Sequence, residues 1–273
     1  MEKIAIFEGV TGGTVQVRDD VAVNGLQFGR GYTLAAGGGS IQISNAATEM
    51  RVLTGLTATI AAPVTGTGGL NKTGEGTLVF TAAAGTNTYA GTTLLTAGTL
   101  KIGATNALPT GTALVIGAST GAVGVITPVA TLDLSEASQQ VASLQVASNS
   151  TLSNTVTIGA GETLTVNGAG GFRVGIANTA KAQTRVLFGG GGSLVVNNTA
   201  ANFESGMQTA TFLIPDATAP FDSTANTNTS VTDLFGLGSF TANVNEFRVA
   251  HGLNNTSTLT LSNTSNDITA NVV

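Results

Sequence analysis

Five residues, Gly117-Ala118-Ser119-Thr120-Gly121, spell the Gly-x-Ser-x-Gly pattern of a nucleophile elbow, and a strand-like run at Ala113–Ile116 precedes them. Such an elbow lifts a serine hydroxyl on a sharp strand-to-helix turn, where a histidine oriented by an acid takes its proton. Acidic residues and the one histidine, His251, follow in the required order. However, Gly121 is succeeded by Ala122-Val123-Gly124-Val125-Ile126, a second strand pattern where that chemistry needs a helix. Ser119 is therefore read as part of a small-residue turn. A lone histidine cannot build a multi-histidine zinc site, and beside Gly252 it reads as a surface residue near a turn.

Calcium-assisted polysaccharide cleavage on a parallel β-helix, as in pectate lyases, needs several carboxylates gathered on one face and an Arg or Lys as base. Calcium takes six to eight oxygen ligands. Here the acids are dispersed. Asp19 and Asp20 are adjacent, which on a strand sends them to opposite faces. Asp133 and Glu162 can approach each other across coils, with Arg173 or Arg185 as the basic partner. The glycine runs at Gly37-Gly38-Gly39 and Gly189 to Gly192 continue into neither a dinucleotide fingerprint nor a phosphate loop, so they read as corners. No catalytic, cofactor-binding or metal residue is assigned, and no cofactor is expected; the chain is read as not an enzyme.

Composition narrows the remaining classes. Only 9% of the 273 residues are charged while 42% are hydrophobic, a balance that favours folding over disorder. The net charge is −5 and the ten Lys and Arg residues are scattered, leaving no basic stripe for nucleic acid. Cysteine is absent, which rules out disulfides and fits an exported protein. The first eight residues, Met1 to Glu8, carry early charge and no apolar signal core, so a trimmed chain or another export route is expected. Residues 104–132 are uncharged, but Pro109, Pro128 and the Ser, Thr and Gly between them argue against a membrane helix. An outer-membrane barrel would need aromatic girdles, and with no Trp and two tyrosines, Tyr32 and Tyr89, that reading fails as well.

The elements that must position any site are strands. Short alternating runs recur between turn residues, among them Thr14–Val17, Gly25–Phe28, Ser40–Ile43, Ala130–Leu134, Glu162–Val166, Arg185–Phe188 and Thr258–Leu261. No convincing helix appears; residues 135–144, the one candidate, lack helical apolar spacing. The organising stretch is 66–109, where Gly76-Thr77-Leu78-Val79-Phe80 and Gly98-Thr99-Leu100-Lys101-Ile102 repeat one phrase, with the sequence Asn87-Thr88-Tyr89-Ala90-Gly91-Thr92-Thr93 between them. A repeat of this length is the mark of a solenoid. The segment resembles the autotransporter-associated β-strand repeat, or passenger-associated transport repeat, of bacterial secreted passengers. The residues that carry the likeness are Gly69, Leu70, Lys72, Gly74, Gly76, Thr77 and Leu78, then Asn87, Tyr89, Gly91 and Thr93, and finally Gly98, Thr99 and Leu100.

The pattern thus predicts an all-β chain folded as a right-handed parallel β-helix of roughly 11–13 coils, with a jelly roll or sandwich as the alternative. Residues 1–202 form the β-helix and 203–273 its terminal coils or cap, where Phe203, Phe212, Phe221, Phe235, Phe240 and Phe247 gather in a wider core or a partner-binding patch. The resemblance implies a non-enzymatic rod, extracellular or at the bacterial cell surface, that aids export by stepwise folding. It departs from the full family arrangement in showing neither leader nor translocator barrel. Uncapped coil ends with few charged gatekeepers further predict self-association, head to tail, into a fibre. A carbohydrate-binding adhesin recognising a surface glycan or matrix, or a polysaccharide lyase, is the competing class; the adhesin needs an exposed aromatic or polar strip along one wall.

Overall fold

The computed structural model describes residues 4–117, 129–147, 152–175, 183–207, 228–251 and 255–273. Among them there is no helix, and every strand-to-strand pairing between named strands is parallel. The first three coils have three walls each: β1 (Ile4–Phe7), β2 (Gly13–Val17) and β3 (Val21–Val23); β4 (Gly25–Phe28), β5 (Tyr32–Ala36) and β6 (Ile41–Ile43); β7 (Thr48–Val52), β8 (Thr57–Ile60) and β9 (Val64–Thr65). Among the described residues the next seven have two strands each: β10 (Leu70–Thr73) and β11 (Thr77–Phe80), β12 (Thr93–Leu95) and β13 (Gly98–Ile102), β14 (Ala113–Ile116) and β15 (Ala130–Leu134), β16 (Gln139–Val146) and β17 (Asn154–Ile158), β18 (Thr163–Val174) and β19 (Gln183–Gly189), β20 (Ser193–Met207) and β21 (Asn228–Asp233), β22 (Ser239–His251) and β23 (Asn255–Thr260). A last strand, β24 (Ser265–Val272), closes the stack.

The first strand of each coil joins an 11-stranded sheet, the second a 10-stranded sheet, and the third a 3-stranded sheet made of β3, β6 and β9. The molecule is therefore the expected parallel β-helix. Eleven levels at ~4.8 Å give a stack about 50 Å tall. Alternation sets which side chains enter. In β11, Leu78 and Phe80 are fully buried while Thr77 and Val79 face outward, and β13 repeats this with Leu100 and Ile102 inward. Because successive strands pair in register, inward residues form columns: Leu78, Leu100, Leu132 and Val156 lie one above another.

On the 11-stranded sheet, the inward column of Leu114 and Leu144 becomes aromatic toward the C-terminal end. Phe172, Phe203 and Phe247 are in register, with ring centroids 4.7 and 4.5 Å apart and nearly parallel planes. Phe188 and Phe240 pack against the same column at tilted angles. These rings form core, whereas Phe235 is 57% exposed; Phe212 and Phe221 lie outside the described residues. β16 occupies most of the stretch considered for a helix, and β14 and β15 are the described strands of the uncharged 104–132 segment. Among the described residues, no helix is long and apolar enough to cross a membrane.

Candidate functional site

The repeat at 66–109 spans the passage where the 3-stranded sheet gives way to irregular backbone. β10 turns sharply into β11, and carbonyls at this corner point inward without a strand partner. Lys72 answers them. Its position between inward Leu70 and the corner buries it completely, and its ammonium donates to the carbonyls of Thr73 at 2.9 Å, Gly74 at 2.7 Å and Ala97 at 2.9 Å. Three N–H donors thus meet three acceptors across two coils. Burial pushes the Lys72 pKa down from 10.5 to about 8, because the charged form loses its water. Gly98 shares this corner with a left-handed φ of 69°, and a Cβ there would lie 2.4 Å from the Gly74 carbonyl oxygen. Only glycine fits.

Where β9 ends the third sheet, side-chain amides take over its hydrogen bonds. Asn87 is buried; its Oδ1 accepts from the Val64 N–H at 2.6 Å and its Nδ2 donates to the Ala107 carbonyl one coil further on. Below it, Gln139 accepts from the Leu108 N–H at 3.0 Å and donates to the Leu108 carbonyl at 3.2 Å. On the 10-stranded sheet, Asn154 at the start of β17 likewise accepts from the Ala130 N–H of β15 at 3.1 Å. Tyr89 fills the core beside these amides, and its hydroxyl contacts Thr93 Oγ1 at 2.6 Å, which lies 2.9 Å from Thr112 Oγ1. Burial drives the Tyr89 phenol strongly upward, so it stays protonated. Each buried polar group is there because an irregular wall leaves backbone groups that water cannot reach.

The residues considered for chemistry are not gathered. Ser119 lies outside the described residues, and His251 is the last residue of β22, its backbone paired with Met207. Asp19 and Asp20 sit in the turn between β2 and β3, and Asp20 accepts from the Ser40 N–H at 3.0 Å and hydroxyl at 2.8 Å. Asp133 caps its own turn through the Ser135 N–H at 2.8 Å. Glu162 instead accepts from the Ser138 hydroxyl at 2.6 Å. Arg185 lies on β19 opposite Val231. Among the described residues no group of three or more His, Asp or Glu side chains converges.

Arg173 joins a different set, which the pattern of dispersed charges did not reveal. It stacks in register with Glu204 and Arg248 on three successive strands of the 11-stranded sheet. Glu204 is only 5% exposed; its Oε2 lies 3.2 Å from Arg173 Nε and its Oε1 3.7 Å from Arg248 Nη1. The Arg173 approach is an ion contact, since the geometry forms no hydrogen bond there. Glu246 completes the set by bonding Asn202 at 3.0 Å and pairing with Arg248.

Two surfaces remain. At one end β1, β2 and β3 are each paired on one side only, and around an apolar mouth of about 370 Å³ lie Phe7, Val15, Val17, Val23, Leu26 and Leu34. Ile4 and Ile6 are more than half exposed there. At the other end, β23 and β24 likewise pair on one side, with Val272 exposed. Along the 10-stranded sheet, the outward residues Thr57, Thr77, Thr99, Thr131 and Thr155 fall in one register column. The signal for this column is present in the chain: a Thr precedes each inward residue in Thr77-Leu78, Thr99-Leu100, Thr131-Leu132 and Thr155-Val156.

Parallel coils whose irregular wall is stitched by buried amides and one buried ammonium define a β-solenoid built around a sequence repeat. Residues 70–102 match the passenger-associated-transport-repeat family, so the chain carries that repeat at the passage just described. Over 68 residues, which are 25% of this chain, it is 44% identical to the adhesin BmaC autotransporter of Brucella suis biovar 1 (strain 1330). The matched stretch amounts to 2% of that relative's length. No solved structure matches the chain.

Proposed function

We propose that this chain is a non-enzymatic rod segment of a bacterial passenger, secreted or displayed at the cell surface, and that copies join head to tail through their coil ends into an extracellular fibre. The observation that carries the reading is the pair of open edges. Among the described residues, each long sheet ends on both sides in a strand paired along one edge, and unpaired edges template further strands. The apolar mouth beside Ile4 and Ile6 adds area that water disfavours. Support for the surface setting comes from the repeat and from the adhesin-named relative.

Electron microscopy and sedimentation of the purified chain over a range of concentrations test this. Fibres of one-coil width are expected, and Ile4→Lys together with Ile6→Lys blocks them while leaving the circular dichroism spectrum unchanged. Monomers alone at the highest concentration, or fibres unaffected by the lysines, would refute the assembly.

A further inference from the structure

We infer that the threonine column on the 10-stranded sheet is a docking face for a neutral, extended polysaccharide. Thr57, Thr77, Thr99, Thr131 and Thr155 stand in register on five successive coils, each outward of a fully buried Ala58, Leu78, Leu100, Leu132 or Val156. The inner column fixes the outer one, because alternation leaves no other face for the threonines. At ~4.8 Å per coil the five hydroxyls span about 19 Å in a straight line. That repeat is close to the length of one sugar ring along an extended chain. No hydrogen bond within the described residues occupies any of the five hydroxyls.

Strand formation alone does not ask for these hydroxyls, since Val has the same branched shape and a similar strand preference. Threonine offers a donor, two acceptor sites and a methyl on one short, stiff side chain. A sugar ring presents the matching set, hydroxyls along its edge and C–H groups on its face. The neighbouring outward column decides the charge of the ligand. It reads Thr59, Val79, Lys101, Asp133 and Thr157, with Lys101 bound to Glu136 at 2.6 Å. One cation beside two carboxylates repels an anionic polymer, and the threonine strip itself carries no charge. A neutral, extended glycan is therefore the occupant that fits.

The test is a depletion assay of the full chain on insoluble cellulose and on chitin, with polygalacturonate as the anionic control. Binding to a neutral polymer and none to the control is expected. The triple variant Thr77→Val, Thr99→Val, Thr131→Val keeps shape and methyls, and should bind at least about 10-fold more weakly with an unchanged thermal transition, as several hydrogen bonds are lost. Thr→Ser at the same three positions should retain most of the binding. No binding by the unaltered chain, equal binding by the valine variant, or preference for the anionic polymer would each overturn the assignment. None of these outcomes bears on fibre formation, which depends on the coil ends.

Discussion

Replacing Lys72 with Met isolates what the buried ammonium does at the corner between β10 and β11. Methionine keeps most of the aliphatic stem, so the core is not emptied, but the carbonyls of Thr73, Gly74 and Ala97 lose their shared donor. A hydrogen bond from a charged group contributes about 1.5–3 kcal/mol, so three amount to roughly 5–9 kcal/mol gross. Against this stands the cost of burying the ammonium. A pKa lowered from 10.5 to about 8 corresponds to about 3 kcal/mol. The net loss in Lys72→Met is thus about 2–6 kcal/mol at neutral pH. Urea unfolding followed by circular dichroism reads it, and a change below about 0.5 kcal/mol would show that the corner does not depend on the ammonium. The pH dependence supplies a second reading. Between pH 8 and 10.5 the unfolded chain holds a proton on this lysine that the folded chain has released. Stability therefore rises with pH through that window. The advantage of the unaltered chain over Lys72→Met should widen from pH 7.5 to pH 10; a gap that narrows would mean that the three carbonyls hold the proton more tightly than burial expels it.

Asn87→Leu preserves volume and strands the Val64 N–H and the Ala107 carbonyl, so a loss of about 2–4 kcal/mol is expected in the same unfolding assay. Gly98→Ala must force a Cβ against the Gly74 carbonyl in a left-handed conformation and should cost more than about 2 kcal/mol. Gly55→Ala, with a φ of 75° but nothing within 4 Å of its Cβ, should cost only about 1–2 kcal/mol; equal costs at both sites would mean that the close approach is not what selects glycine. Phe203→Ala removes the middle ring of the stack from Phe172 to Phe247 and should destabilise by about 3–5 kcal/mol, with amide exchange accelerated in β18, β20 and β22.

Much of the architecture is legible in the chain because alternation is local. A pair such as Leu78 and Phe80 declares its face without reference to any other residue, and the Gly-Thr-Leu phrase announces which strands share a register. What is not legible depends on neighbours several coils away. The 3-stranded sheet stops at β9, yet nothing in Val64-Thr65 marks an end; the change shows only once Asn87 is seen bonding Val64. Residues 193–207 contain Asn197-Asn198-Thr199, which reads as a turn, but the chain stays in β20 because long partners on both sides carry it through a register shift. Glu204 reads as one more solubilising charge and is instead held between two arginines contributed by residues 31 positions before it and 44 after it. Lys72 is recognisable as part of the repeat, but its inward alternation contradicts the usual place of a charge, and only the corner carbonyls resolve the conflict.

The 3-stranded sheet ends at β9, yet from β16 onward the first half of each long strand forms a ladder of its own, with Gln139, Leu164, Leu194, Phe240 and Asn266 in register beside the ladder of Leu144, Phe172, Phe203 and Phe247. Because the strands of both ladders run parallel, the two ends of the stack are not interchangeable. Any filament assembled from it would be directional, with the last coil of one copy set on the first coil of the next.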